Sequence, residues 1–292
     1  MRKPFFLLLT IAHFGLSGQL ADLVIFSYNR PLQLYTLLYS IEQNMRGVGS
    51  QAVIYRASDS DFDQAYGQVK QRFKDVIFFK QGDRPAADFK LLTNVATFES
   101  KCAHVLFAVD DIIVKDFVDL SECIDCMEST QAYAFYLRLG EHLNYCYPCD
   151  AAQPVPPCVR VVDNIIAWQF KNGSYDWGYL HTVDMTIYRK SDIRQFFIFT
   201  DYTNPNELEA LWAMEYSWVN NKFGLCYKDS KIVNLPLNRV QNVCENRSAN
   251  AYTPHELLTA FNNGLMFDIS SVRGMRNESA HVAFIPPFTA RS

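Results

Sequence analysis

From residue 22 to residue 114 the chain alternates short apolar runs with helical stripes of apolar residues. Residues 22–27 (DLVIFS) are apolar and end in polar side chains, the pattern of a buried strand. Pro31, after Tyr28, Asn29 and Arg30, marks the first position of a helix whose apolar face is Leu34, Leu37, Leu38 and Ile41. Residues 51–55 predict a second strand, closing on Arg56, Ser58 and Asp59. Residues 62–73 read as a helix, 76–79 as a third strand, and 89–100 as a further helix. That helix leads into HVLFAVDDIIV, residues 104–114: five apolar or small residues, two adjacent carboxylates, then a second apolar triplet.

A buried strand cannot leave Asp110 and Asp111 unpaired in the core, because desolvating a free carboxylate is costly. The pair must face water, a cation or a metal at a sheet edge or cleft. Magnesium and manganese, as hard divalent ions, favour such oxygen ligands. The β-α-β-α-β-α-β order, with connections long enough for parallel crossovers, predicts an α/β fold with helices flanking a mostly parallel sheet. Ligands of such sheets bind outside the carboxyl ends of the strands. Residues 27–30, 56–59 and 110–111 are polar clusters at three strand ends, and together they point to one ligand-binding edge.

The remainder is less regular. Residues 116–130 predict a helix, 132–139 a strand, and 165–170 and 183–188 two more strands around the aromatic segment 175–179 (YDWGY). Aromatic rings beside a Gly and an Asp suit a sugar platform, with Trp177 and Tyr179 as the candidate rings; core aromatics are the plainer reading. Asn204, Pro205 and Glu207 fit the N-cap, first position and capping partner of a helix. Glu209 then lies in the first turn, where the helix dipole favours its charged form, so Glu209 is the candidate general base and Glu215 the second choice. His281, in the tail, is a candidate metal ligand or a structural histidine.

Composition changes this picture little. Of 292 residues, 49% are hydrophobic and 20% charged, enough apolar material for a large core. A net charge of -4 with no dense basic run gives no sign of nucleic-acid binding. Arg2 and Lys3 followed by an apolar run to Leu16 and small residues predict a signal peptide over residues 1–21 and a secretory route, with an apolar first element of the fold as the alternative. No other stretch approaches membrane-spanning length. Eight cysteines accord with an oxidising compartment. Cys123, Cys126, Cys146 and Cys149 have the spacing of a four-cysteine zinc site, but the first pair falls in a helix, so disulfides tying down the Pro-rich loop around Cys158 are preferred to zinc.

The segments DLVIFSYNRPLQLYTLLYSI, VIYRASD and HVLFAVDDIIV, followed by NPNELEALWAMEY, resemble GT-A-fold glycosyltransferases, especially family-2-like inverting enzymes. The resemblance covers about residues 22–227. It implies a nucleotide-sugar donor, a manganese or magnesium ion, and a glycan, lipid or protein acceptor. On it, Ser27, Tyr28 and Arg30 would bind base and ribose, and Asp59 would contact the base. Asp110 and Asp111 would close a DxD or DDD signature, with Asp111 on the metal and His281 as a further ligand in some relatives. Glu209 would activate the acceptor, with Trp177 and Tyr179 on the acceptor side. Val109 stands where that family often has its first Asp. The implied organisation is a single GT-A-like domain over residues 22–230 with a C-terminal extension, 231–292, packed on it. The alternative is a secreted glycan- or nucleotide-sugar-binding protein on the same scaffold without catalysis.

Overall fold

The computed structural model describes residues 20–240 and 247–291. Its centre is a nine-stranded sheet. In chain order its strands are β1 (Ala21–Tyr28), β2 (Val48–Arg56), β3 (Ile77–Lys80), β4 (His104–Val109), β5 (Ala134–Tyr136), β6 (Cys158–Val162), β7 (Ile165–Gln169), β8 (Thr186–Arg189) and β9 (Phe223–Tyr227). Across the sheet they run β6-β7-β9-β5-β8-β4-β1-β2-β3. The four N-terminal strands pair in parallel, with β1 between β2 and β4 and β3 outside β2. Beyond β4 the sheet turns mixed: β8 runs antiparallel to β4 and to β5, and β9 parallel to β5.

The central strands are buried on both faces, which explains their unbroken apolar runs. Leu23 and Ile25 of β1, with Leu106 and Ala108 of β4, join one core, while Val24, Phe26, Val105 and Phe107 join the other. The first core is covered by α1 (Pro31–Asn44), α2 (Ser60–Arg72), α4 (Leu120–Thr130) and α7 (Pro254–Asn262). The second is covered by α3 (Pro85–Phe98), α5 (Lys190–Phe199) and α6 (Pro205–Ala213). The side-chain period of two thus sends each successive residue of a strand to the opposite helical layer.

Two features of the described residues bear on the site. Ala21 opens β1 and pairs with both Val48 and His104, so the end of the expected signal segment belongs to the sheet. The rest of that segment, residues 1–19, lies outside the described residues. The region after residue 230 is woven into the molecule. Ile232–Asn234 pairs antiparallel with Ile112–Val114, directly after the acid pair. Leu235 N–H donates to the Asp111 carbonyl at 2.9 Å, and Asn234 bridges to His281. Among the described residues no helix is long and apolar enough to cross a membrane.

Candidate active site

A cleft of about 800 Å³ opens at the carboxyl ends of β1, β2 and β4, where the sequence places its polar clusters. Tyr28 ends β1 and Arg30 follows it, Arg56 ends β2, and Asp110 and Asp111 follow β4. Glu209 enters from α6, and Asn234, Asn238 and His281 from the C-terminal region.

Arg30 binds the acid pair directly. Its Nη1 lies 2.9 Å from Asp110 Oδ1 and 3.0 Å from Asp111 Oδ2, and its Nη2 donates to the Asn238 carbonyl at 2.6 Å. Asp110 also accepts the Tyr28 N–H at 3.2 Å. Burial opposes the guanidinium charge, but the two carboxylates hold Arg30 firmly protonated. One cation shared by two acids leaves the acids under-compensated. Burial raises the Asp110 carboxyl above its ordinary range despite Arg30. Asp111 is pushed up to about 6, first by burial, with Arg30 opposing and the charges of Asp110 and Asp184 adding to the rise.

Asp184, on the chain just before β8, is clamped by Asn234 Nδ2 at 3.3 Å and His281 Nε2 at 3.2 Å. Burial works against its charge, but the His281 contact outweighs that and lowers the carboxyl pKa. The imidazole is raised in turn by Asp184, against its own desolvation. Glu209 Oε1 accepts the Val183 N–H at 2.7 Å, which places the glutamate beside Asp184. Burial and then the Asp184 charge push Glu209 up to about 7, opposed by that hydrogen bond. A carboxylate poised near neutrality can both take and hold a proton at ordinary pH.

The structure sorts the sequence candidates. Tyr28, Arg30, Asp110, Asp111, Tyr179, Glu209 and His281 line the cleft. Ser27 lines it too, with its hydroxyl engaged by Tyr66 Oη at 2.7 Å. Asp59 does not: it caps α2, accepting the N–H groups of Asp61 and Phe62 at 3.0 and 3.1 Å, and Arg56 and Gln81 stand at that end of the cleft. Glu215 also falls outside, exposed in the 3-10 turn after α6, where its non-helical backbone takes it off the helix face.

Trp177 is fully buried and is no sugar platform. Its indole N–H donates to the Leu143 carbonyl at 3.1 Å, and its ring packs edge-on against Trp168 with centroids 5.0 Å apart. Trp177→Ala is expected to cost about 3–5 kcal/mol of stability, read as a fall in the urea midpoint.

The seven cysteines among the described residues are all free thiols, so the expected disulfide tether is not formed among them. Cys123 and Cys126 are buried in the core through α4, whereas Cys146 and Cys149 line the cleft, so the four do not converge on a zinc ion. The site residues missed include Arg138, Asp184, Asn234 and Asn238. Arg138 and Asp184 carried a faint signal, charges at the ends of apolar runs (FYLRLG and HTVDMTIY).

Among the described residues no group of three or more His, Cys, Asp or Glu side chains is arranged to hold a metal ion. The buried polar atoms of the cleft with no hydrogen-bond partner nonetheless include Asp111 Oδ1 and His281 Nδ1. The two residues feel one another's charge. With His281 Nε2 held by Asp184, its Nδ1 has the orientation that outer-shell carboxylates give to metal-binding imidazoles. The pair therefore fits an ion completed by phosphate oxygens and water, the usual manner of magnesium-type sites, rather than an all-protein cage.

No protein-family model matches the sequence. A curated relative, the bifunctional glycosyltransferase pgtA of Dictyostelium discoideum, is 26% identical over 217 residues, which is 66% of this chain. The chain spans 28% of that relative's length. The resemblance to glycosyltransferases read from the sequence is borne out by this match. Among solved structures, S. aureus TarS 1-349 in complex with UDP-GlcNAc is 14% identical, with 83% of this chain and 65% of that chain covered and a TM-score of 0.45. The mannosyltransferase PcManGT from Pyrobaculum calidifontis, in complex with GDP-Man and Mn2+, is 10% identical, with 73% and 57% covered and a TM-score of 0.39.

Proposed function

We propose that this chain, an α/β protein of GT-A type by its sequence resemblance, transfers a sugar from a nucleotide-diphosphate donor to an acceptor hydroxyl. The observation that carries the reading is one cleft holding both an Arg30-bound acid pair at the end of β4 and a glutamate of raised pKa from α6. Donor and acceptor chemistry need these two separately. The diphosphate leaving group calls for positive charge, and the attacking hydroxyl calls for a base.

Tyr28 and Arg56 stand at the end of the cleft for the nucleotide, with the Arg56 guanidinium 5.4 Å from the centre of the Tyr28 ring. Asp111 and His281 would hold a divalent ion, which when bound supplies positive charge to the departing diphosphate. Arg30 keeps Asp110 and Asp111 together and adds its own charge to that wall. Glu209 accepts the acceptor proton at its carboxylate, and the hydroxyl attacks the anomeric carbon as the diphosphate leaves. A single in-line displacement of this kind inverts the anomeric centre and needs no covalent intermediate.

With only two protein donors, manganese alone should bind weakly, and the nucleotide diphosphate should complete its site. In thermal melts, manganese alone is expected to leave Tm unchanged. Manganese with UDP or GDP should stabilise the fold, by roughly 2.7 kcal/mol at a hundredfold excess over Kd. If neither nucleotide shifts the melt with manganese or magnesium present, the donor reading is wrong.

A further inference from the structure

We infer that the rings of Tyr175 and Tyr179 form an acceptor subsite for a pyranoside, so that the acceptor of the proposed transfer is itself a sugar. This rests on the transferase reading and names its second substrate.

The segment that carries the rings is held far more firmly than an ordinary surface loop. Trp177 anchors its centre in the core through the Leu143 carbonyl, and Trp168 Nε1 donates to the Trp177 carbonyl at 3.1 Å. Arg138, buried after β5, grips the segment at three points. It reaches Asp176 Oδ1 at 3.0 Å, the Asp176 carbonyl at 3.0 Å and the Tyr179 carbonyl at 2.7 Å. Gln153 closes the other side, accepting the Asp176 N–H at 3.0 Å. Gly173 packs so close to the Trp177 carbonyl that no side chain could be added there.

Against this scaffold Tyr175 adopts φ 49°, a left-handed backbone that a bulky residue rarely takes. The residue is 47% exposed, so packing does not repay the strain. Strain retained where the surroundings over-determine it, at the lip of a cleft, points to a ligand role for the side chain. Tyr179 lines the same cleft, and its phenol is pushed up first by burial and then by the charge of Glu209, which places it near the proposed base. Thr203 and Asn206 add polar groups to the lining. Two phenol rings in a polar-rimmed cleft suit a ligand with one C–H face and a ring of hydroxyls. A pyranoside has that form; a peptide backbone or an acyl chain does not.

Tyr175→Gly separates a ligand role from a structural one, because glycine relieves the left-handed backbone while removing the ring. With manganese and nucleotide sugar present, the variant should raise the acceptor KM by roughly tenfold without raising the donor KM, and its Tm should hold or rise. Tyr175→Phe should keep the acceptor KM. Saturation-transfer NMR with a panel of methyl glycosides should show contact to the wild-type rings and none to Tyr175→Gly. An unchanged acceptor KM or a lowered Tm in Tyr175→Gly overturns the subsite. So does donor hydrolysis by the wild type with no methyl glycoside bound, an outcome that leaves the transferase reading standing. Glycoside binding without any donor binding would instead uphold the subsite and remove the transferase.

Discussion

Asp111→Asn is expected to abolish sugar transfer while making the protein more stable. The loss of activity should be at least about 10²–10³-fold, the usual effect of removing one preorganised electrostatic group from a reacting centre. The gain in stability follows from the carboxyl being pushed up to about 6 from an ordinary 3.8. An acid whose folded pKa is raised binds its proton more tightly in the folded state than in the unfolded chain. Its favourable contribution is therefore complete below the unfolded value and is lost as pH rises through about 6. At pH 7 the ionised carboxylate has forfeited all of it, on the order of 3 kcal/mol at about 1.4 kcal/mol per pKa unit. Asparagine resembles the protonated acid, and Arg30 still has Asp110 to pair with. Urea unfolding should show the variant ahead of wild type at pH 7 and the gap closing at pH 4. A variant less stable than wild type at pH 7 would assign Asp111 a structural task and remove it from the site.

Such a residue, costly to the fold and placed in a cleft, is the kind that local sequence can reveal. HVLFAVDDIIV was readable because two charges cannot follow an apolar run into the core, and β1 and β4 were readable because both their faces are covered. Other parts of the site were hidden for a physical reason. Asp184 and His281 are 97 residues apart in number (281 − 184) and meet because Ile232–Asn234 pairs with Ile112–Val114 and bridges to His281. No local pattern encodes that pairing. Asp59 misled because a strand-end acid before a helix serves equally well as an N-cap, and here two backbone N–H groups of α2 bond its Oδ1 while the Ser58 hydroxyl donates to its Oδ2. Trp177 misled in the opposite sense. A loop composition of YDWGY fits both a ligand platform and a core anchor, and the presence of Trp168 opposite it decides for the core. The neighbouring Tyr175, which carries the backbone signature of a ligand site, has nothing in its sequence neighbourhood to announce a positive φ.

Glu209→Gln should lower kcat by roughly 10²–10⁴-fold with little change in donor binding, since a general base contributes in that range. The sharper test is the pH profile. Burial and the Asp184 charge push Glu209 up to about 7, and a base works only when ionised. In the wild type, log kcat/KM should therefore climb with unit slope below pH 7 and level off above it, because kcat/KM reports the ionisation of the free protein. The residual activity of Glu209→Gln should lack the limb. Stability must move the other way. Because the folded pKa is raised above the ordinary 4.5, the contribution of Glu209 to stability is complete below that value and is lost as pH rises through about 7. The wild type thus loses folding stability over the same pH range in which it gains activity, and Glu209→Gln should show neither change. An activity limb without the matching stability loss would place the titrating group on the substrate; a stability loss without the limb would leave Glu209 buried and titrating but not the base.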